Sequence, residues 1–570
     1  MVLCVELGAA VGIALAVYWV YGRWARRRWW VTVLVLSGWT SCFYIIFLIV
    51  NDVAVSVRCP HCLAETALRV IWGLLYWGTL VMTFVVYPLA QDYVRSGHFS
   101  AIDRLTDSVR RNMMQYMLMG VIILVLGVLY CVVAGVDWMR FPSVASAAAN
   151  AYGLILFVLL LGHGVVNVPR RLYRRGGLRM QLARAHFELA EFTDRGADAS
   201  TRLQEVVGEV QKVNELVMEG DPFRPYVQQI IDQCPVDLMY PGERALPLPV
   251  DSLFVRKQTF EVSYENLVRL NEGLRAALHD NQLYEHKRQQ AKDQARRLAG
   301  TVNMRPEDAV TAWQVIRFYY LRYVHSVGMY ALCLACAGMS TLVVASEVTF
   351  AVDGVDLSLL SLIARSLPGW LPFMLFQVLL ALPLVYIAYC AYSSLFQLRL
   401  FSYYHLVTGQ KSDWASLIFS ASYLCRLITP MGYNYMLMLH AEDTAFLSVM
   451  GTLDLSSFGK HFQDLLPLLI LPSAAATIFK LYARAANALC GRRFQFDEKS
   501  MSDIQVQRGA LLARCVQQPE IKYEEEDEEE EAEEHPAGNE GDGPVEQYHG
   551  TMDDVIEVLV SGDNKMDIFV

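Results

Sequence analysis

A run of about 20 apolar residues recurs nine times along this chain, and no other feature restricts the fold as strongly. A bilayer core of roughly 30 Å takes about 20 residues of α-helix, and a helix satisfies its own backbone polar groups there. The runs lie near 3–21, 29–50, 69–90, 113–134, 147–168, 326–347, 370–396, 414–440 and 462–485. They predict an all-α, polytopic membrane protein with about nine transmembrane helices. The composition agrees: 54% of residues are hydrophobic and 19% charged, too apolar for an ordinary soluble chain of 570 residues.

Charge sets the expected orientation. The first run is followed, not preceded, by Arg23, Arg26, Arg27 and Arg28. A cleaved secretory signal carries its positive charge in front, so this run reads as a retained first helix with its N-terminus outside. From that start, nine crossings bring the basic groups around Arg95–Arg111, Arg170–Arg175, Arg399 and Lys411, and Lys480–Arg493, to the cytoplasmic side. The other side keeps only Arg58, Arg69, Arg140, Arg365 and Lys460. This is the positive-inside pattern. Without a crossing at 414–440, the last basic group would face the wrong way. The expected location is the plasma membrane or an endolysosomal membrane, with the C-terminus cytoplasmic and the lipid bilayer as the first partner.

Four regions follow. Residues 1–168 hold five spans, 169–325 form a cytoplasmic loop, 326–490 hold four spans, and 491–570 form an acidic tail. In the loop, Leu203, Val206, Val207, Val210, Val213, Leu216 and Val217 recur at helical steps, as do Leu267, Leu270, Leu274 and Leu278. A breaker-rich zone with Pro222, Pro235, Pro241, Pro247 and Pro249 separates the two stripes. They predict an antiparallel, coiled-coil helical hairpin projecting into the cytosol. Residues 180–300 are thus either a docking surface for cytosolic or membrane protein partners or a clip packed on the membrane helices.

The tail from 497 holds 22 acidic and 5 basic residues, a net of −17, and leaves +7 on the rest of the chain. Its run YEEEDEEEEAEEHP at 523–536 buries no core, so the tail is expected to be disordered. Its end, Asp567-Ile568-Phe569-Val570, fits strand addition to a PDZ-type groove, a second place for a protein partner.

Few residues suggest chemistry. Cys59 and Cys62, in Cys-Pro-His-Cys on the outer side, are spaced for a local disulfide; without a second pair they make a poor zinc site. No nucleophile elbow, metalloprotease helix, P-loop or dinucleotide fingerprint occurs. The expectation is a non-enzyme with no cofactor, no metal and no nucleic-acid partner. The exception to blandness is Arg426, midway along the eighth run. A central arginine costs roughly 2.5–3.5 kcal/mol on insertion scales and survives only beside a partner, a carbonyl or water. Pro430 has no N–H to give the Arg426 carbonyl. An intramembrane polar cluster of Arg426, Thr429, Pro430, Asn434 and Glu347 is therefore expected, either lining a cavity or clamping helices. Asn150 and Gln377 are candidate companions, and Asp464 is a second acidic one.

Several stretches resemble the limb-region (LMBR-like) membrane protein family, and within it the type 2 branch of LMBR domain-containing proteins. They are YVRSGHFS at 93–100, AAANAYGLILFVLLLGHGVVNVPR at 147–170, QKVNELV at 211–217, QCPVD at 233–237, YSSLFQLRLFSYYHL at 392–406 and SLIFSASYLCRLITP at 416–430. The resemblance covers about residues 1–490 and implies nine helices, an outside N-terminus and a long cytoplasmic loop with a coiled coil. It implies no catalytic residues. The function it points to is a receptor-like or accessory protein that regulates signalling or trafficking, similar to regulators of G-protein-coupled receptor signalling. The rival is a small-molecule transporter or a component of ligand uptake or export, with a polar cavity around Arg426.

Overall fold

The computed structural model describes residues 2–23, 28–58, 65–134, 141–239, 262–303, 316, 319–350, 358–370, 372–397, 406–441, 444–450, 467–479, 481 and 503–515. Among these residues the fold is helical, with no strand. Helix α1 spans Val2–Tyr21, α2 Trp29–Arg58, α3 Glu65–Val81, α4 Tyr87–Arg95, α5 Ala101–Ala134 and α6 Phe141–Gly176. Then come α7 (Leu178–Leu216), the short α8 (Arg224–Ile231) and α9 (Val236–Met239), and α10 (Tyr264–Asn303). The second half holds α11 (His325–Phe350), α12 (Leu359–Ser366), α13 (Phe373–Leu395), α14 (Trp414–Met438), α15 (Ala445–Met450), α16 (Ile470–Ile478) and α17 (Asp503–Cys515).

Six stretches among the described residues are long and apolar enough to cross a membrane: 3–21, 29–57, 66–95, 152–176, 325–349 and 373–395. The expected fourth span lies in α5 and the eighth in α14. The ninth overlaps the described residues mainly at Pro467–Phe479. The stretch 66–95 is not one regular helix. A π-helical turn, Met82–Val86, joins α3 to α4.

Helix α14 sits at the centre, against α2, α4 and α6. Helix α6 in turn packs on α11, α13 and α16. Two glycines of α6 allow close approach, as small residues do between membrane helices. A Cβ on Gly162 would lie 2.6 Å from Ser473 Cβ, and one on Gly164 would lie 2.4 Å from Cys390 O. His163, between them, bonds through Nδ1 to Ser394 Oγ at 3.2 Å.

Helices α7 and α10 form an antiparallel pair longer than the stripes alone predict. At one end Leu203, Val207, Val210 and Val213 bury with Leu267, Leu270 and Leu274; at the other, Ala185 and Leu189 bury with Ala291 and Ala295. Of the two expected roles, a projecting docking surface or a clip packed on the bundle, the contacts match the clip: α10 carries polar side chains that bond to two of the connecting loops. The expectation of a wholly disordered 491–570 is corrected. Asp503–Cys515 is a helix packed on α7, with Ala513 buried among Ala185, Leu189 and Ala295. The acidic run at 523–536 lies outside the described residues.

Candidate functional site

The clearest constructed site is where α10 grips the turn Ser96–Ser100 between α4 and α5. Asn271, fully buried, donates from Nδ2 to Gly97 O at 2.7 Å. Arg275 donates to Ser96 O at 3.1 Å and to Gln233 Oε1 at 3.1 Å. Gly97 is required by this approach, since a Cβ there would stand 2.2 Å from Val268 O. The turn is held from its own side by Arg104, which donates to His98 O at 2.6 Å. Phe99 packs on Tyr226 with ring centroids 4.8 Å apart, and Tyr264 donates to Asp103 at 3.2 Å. Arg111 bridges Asp107 at 3.1 Å and Glu272 at 3.4 Å. Burial, with Arg104 and Arg28 nearby, pushes Arg275 down to about 10. It stays cationic at neutral pH while bonding to the neutral oxygens of Ser96 and Gln233. Residues of SGHFS and of QCPVD, both quoted for the family resemblance, thus meet in one clasp.

A second grip lies further along α10. Gln290 bonds to Thr408 at 2.9 Å, and His286 Nδ1 faces Lys411 Nζ at 3.3 Å. Burial and the Lys411 charge lower the His286 pKa. Gly409, at a φ of 80°, and Gln410, at 62°, make the turn that presents these groups, and Gly409 N donates to Val20 O at 3.0 Å. The two grips are 19 residues apart, from Asn271 to Gln290, or roughly 28 Å at ~1.5 Å per residue. Helix α10 is therefore a strap joining the α4–α5 turn to the α13–α14 link. Helix α17 braces α7 from outside. Arg508 pairs with Asp194 at 2.9 Å, and Gly509 meets the His186 backbone so closely that a Cβ would sit 1.8 Å from its carbonyl oxygen.

Within the bundle, the five residues of the expected polar cluster fall into separate places. Arg426 stacks over Tyr423 at 5.0 Å and Phe84 at 5.6 Å, and its buried Nε has no hydrogen-bond partner. Phe84 belongs to the π-helical turn, and its carbonyl accepts from the Tyr116 hydroxyl. Asn434, two turns beyond Arg426, donates instead to the Glu347 carboxylate. Pro430 fits against Gly153, where a Cβ would lie 3.0 Å from its ring, and α14 continues through it. Thr429 bonds to neither group. A partly open pocket of about 100 Å³ is lined by Ser37, Gly38, Ser41, Gly78, Thr79 and Cys425 among others, and Arg426 is not on its wall. Cys59, Cys62 and Asp464 lie outside the described residues, as does the Asn150 side chain.

Sequence reasoning named Gln377 only as a companion of Arg426 and missed the other polar groups of the bundle. Gln377 donates to Asn51 Oδ1, and Asn51 donates to Glu6 at 2.5 Å, which links α13, α2 and α1. Asp52 accepts from Trp72 Nε1 at 3.1 Å and from the first backbone N–H groups of α15, Ala445 at 2.9 Å and Phe446 at 2.8 Å. The signal was present: Glu6 inside the first apolar run, and Asn51-Asp52 at the end of the second.

Similarity to known proteins covers most of the chain. LMBR1 domain-containing protein 2 homolog A of Dictyostelium discoideum is 31% identical over 472 residues, which cover 79% of this chain and 62% of that relative. The G-protein coupled receptor-associated protein LMBRD2 of Homo sapiens is 26% identical over 597 residues, 91% of this chain and 85% of the relative. The LMBR1 domain-containing protein 2 homolog of Drosophila melanogaster is 25% identical over 580 residues, 89% and 81%. No solved structure matches the chain. Residues 1–482 match the family description LMBR1-like membrane protein, so the chain belongs to that family of integral, multi-pass membrane proteins.

Proposed function

We propose that this protein is a receptor-associated membrane regulator without catalytic activity, and that the α7–α10 pair is its cytoplasmic working part. Two facts support the reading. Vertebrate relatives carry the name G-protein coupled receptor-associated protein. And the pair is fastened to two loops of the bundle at Asn271, Arg275 and Gln290, so a partner bound to it acts directly on the membrane helices. The clasp of Asn271 and Arg275 on the Gly97 and Ser96 carbonyls is the observation that carries it. A fastened pair presents a fixed surface, which lowers the ordering cost of binding. Its side of the membrane, by the positive-inside pattern, is the cytoplasm.

The experiment is proximity labelling in cells from an enzyme fused to the C-terminus, comparing the natural chain with Gly97→Ala and Arg275→Ala. Each variant loosens the clasp without deleting a helix; losing the charged hydrogen bonds of Arg275 costs about 1.5–3 kcal/mol. The expected result is a set of labelled G-protein-coupled receptors that shrinks in both variants at equal protein abundance. An unchanged set overturns the role of the pair, and a set without receptors overturns the receptor-associated reading.

A further inference from the structure

The pairing of Glu347 with Asn434 leaves an unbalanced account. Both side chains are buried, Glu347 at 0% and Asn434 at 1% exposure. One bond joins them, from Asn434 Nδ2 to Glu347 Oε1. The remaining oxygen of each, Glu347 Oε2 and Asn434 Oδ1, is buried and has no partner. A buried acceptor left unsatisfied costs about 1–3 kcal/mol, more when it is charged, and a carboxylate and an amide oxygen offer no donor to each other. Exchanging the amide nitrogen and oxygen of Asn434 does not help, because it again sets an amide oxygen against a carboxylate oxygen.

We infer that Glu347 and Asn434 form a proton-binding site between α11 and α14, with the proton on the Glu347 carboxyl. A carboxylic acid then gives its O–H to the amide oxygen while taking the amide N–H, and both orphaned oxygens gain a bond at once. Among the described residues Glu347 makes no ion pair that competes for it. Among groups on the elements packed against α11, Arg365 of α12 is exposed. His163 of α6 bonds to Ser394, Tyr386 of α13 to Ser340 and Cys336 O, and Tyr435 of α14 donates to Leu380 O. The Cys333, Cys336 and Cys390 thiols belong to other levels of α11 and α13, and Arg426 is occupied by Tyr423 and Phe84. A hard cation calls for several oxygen ligands, and the nearest hydroxyl along the chain, Ser346 Oγ, already accepts from Leu360 N at 3.1 Å. That neighbour gives the proton a structural address. Ser346 holds α12, which also donates from Ser358 to Met438 O at 2.6 Å and from Ser361 to Leu439 O at 3.3 Å. The protonated pair therefore closes α11 onto α14 directly beneath the helix that caps them.

The test uses infrared spectroscopy on the full-length protein in lipid nanodiscs at neutral pH, with thermal melting alongside. The expected result is a carbonyl stretch of a protonated carboxylic acid that disappears in Glu347→Gln. That variant should melt at the natural temperature, because its amide N–H replaces the acid O–H, while Asn434→Leu should melt lower. A spectrum unchanged by Glu347→Gln, or a Glu347→Gln protein that fails to fold, overturns the inference. So does a melting temperature that rises with sodium chloride in the natural protein but not in Glu347→Gln, which would assign the two oxygens to a cation.

Discussion

Helices α13 and α14 follow one another, have 23 and 25 residues, and each contains a proline, Pro383 and Pro430. They solve the membrane in opposite ways. Helix α13 turns Met374, Val378, Leu382, Val385 and Tyr389 outward along one face. Helix α14 buries 18 of its 25 residues and carries Ser416, Ser420, Ser422, Arg426 and Asn434. The more apolar helix is the more exposed one. Hydropathy thus records which helix faces lipid, and a helix enclosed by neighbours is free to be polar wherever those neighbours offer partners.

The contrast can be broken at several points. The largest effect is expected for Val385→Arg, which puts a charge on the outward face of α13. It should cost about 2.5–3.5 kcal/mol of insertion, read as a fall in the correctly inserted fraction by glycosylation mapping. Normal insertion would mean that this face is not turned to lipid. Next is Ala421→Leu in α14. Ala421 is fully buried, its Cβ 3.3 Å from where a Cβ on Gly38 would stand. Overpacking there should cost about 1–3 kcal/mol in thermal melting, whereas Val378→Leu on α13 should be close to neutral.

Arg426→Leu sharpens the contrast further. It removes the two ring contacts, worth about 0.5–2 kcal/mol, and should lower the melting temperature slightly. A higher melting temperature would show that the arginine is kept for a task other than packing.

The smallest effect is expected at the link between the two helices. His286 at Lys411, and His186 near Arg514, are both held below the ordinary value of 6.5, by burial first and by the neighbouring cation second. The folded state prefers them neutral. Their contribution is full above about 6.5 and is lost as pH falls through the lower folded values. Hydrogen-exchange protection in 406–413 and 503–515, taken relative to the intrinsic exchange rate at each pH, should therefore fall on acidification, and His286→Gln should flatten the response in 406–413.

Local pattern made part of this architecture readable. Leu203, Val207 and Val210 announce their stripe because a helix repeats every few residues, and Glu347 was recognisable as an acid to be paired inside the bundle. Which group it would meet was not readable. Asn434 and Glu347 are 87 residues apart, and only the rotation of two packed helices brings Asn434 rather than Arg426 to the carboxylate. Helix α17 was hidden for another reason. In DIQVQRGALLARC the contact depends on Gly509 and Ala513, residues whose value is their small size, and an apolar-stripe search passes over them. The strap escaped for a third. Its grips are single polar side chains, Asn271, Arg275 and Gln290, set in a densely charged helix where nothing distinguishes them from solvated neighbours.

The strap also orders events during synthesis. When α10 leaves the ribosome, Thr408, 118 residues downstream of Gln290, has not yet been made. His186 waits longer still, for Gly509 near the end of the sequence. Contacts so distant along the chain form late and slowly. The clasp on Ser96–Gly97 needs only residues already made when α10 is complete, but the second grip and the brace wait until α13, α14 and α17 have been translated, and a chain cut short before Asp503 would leave the brace missing.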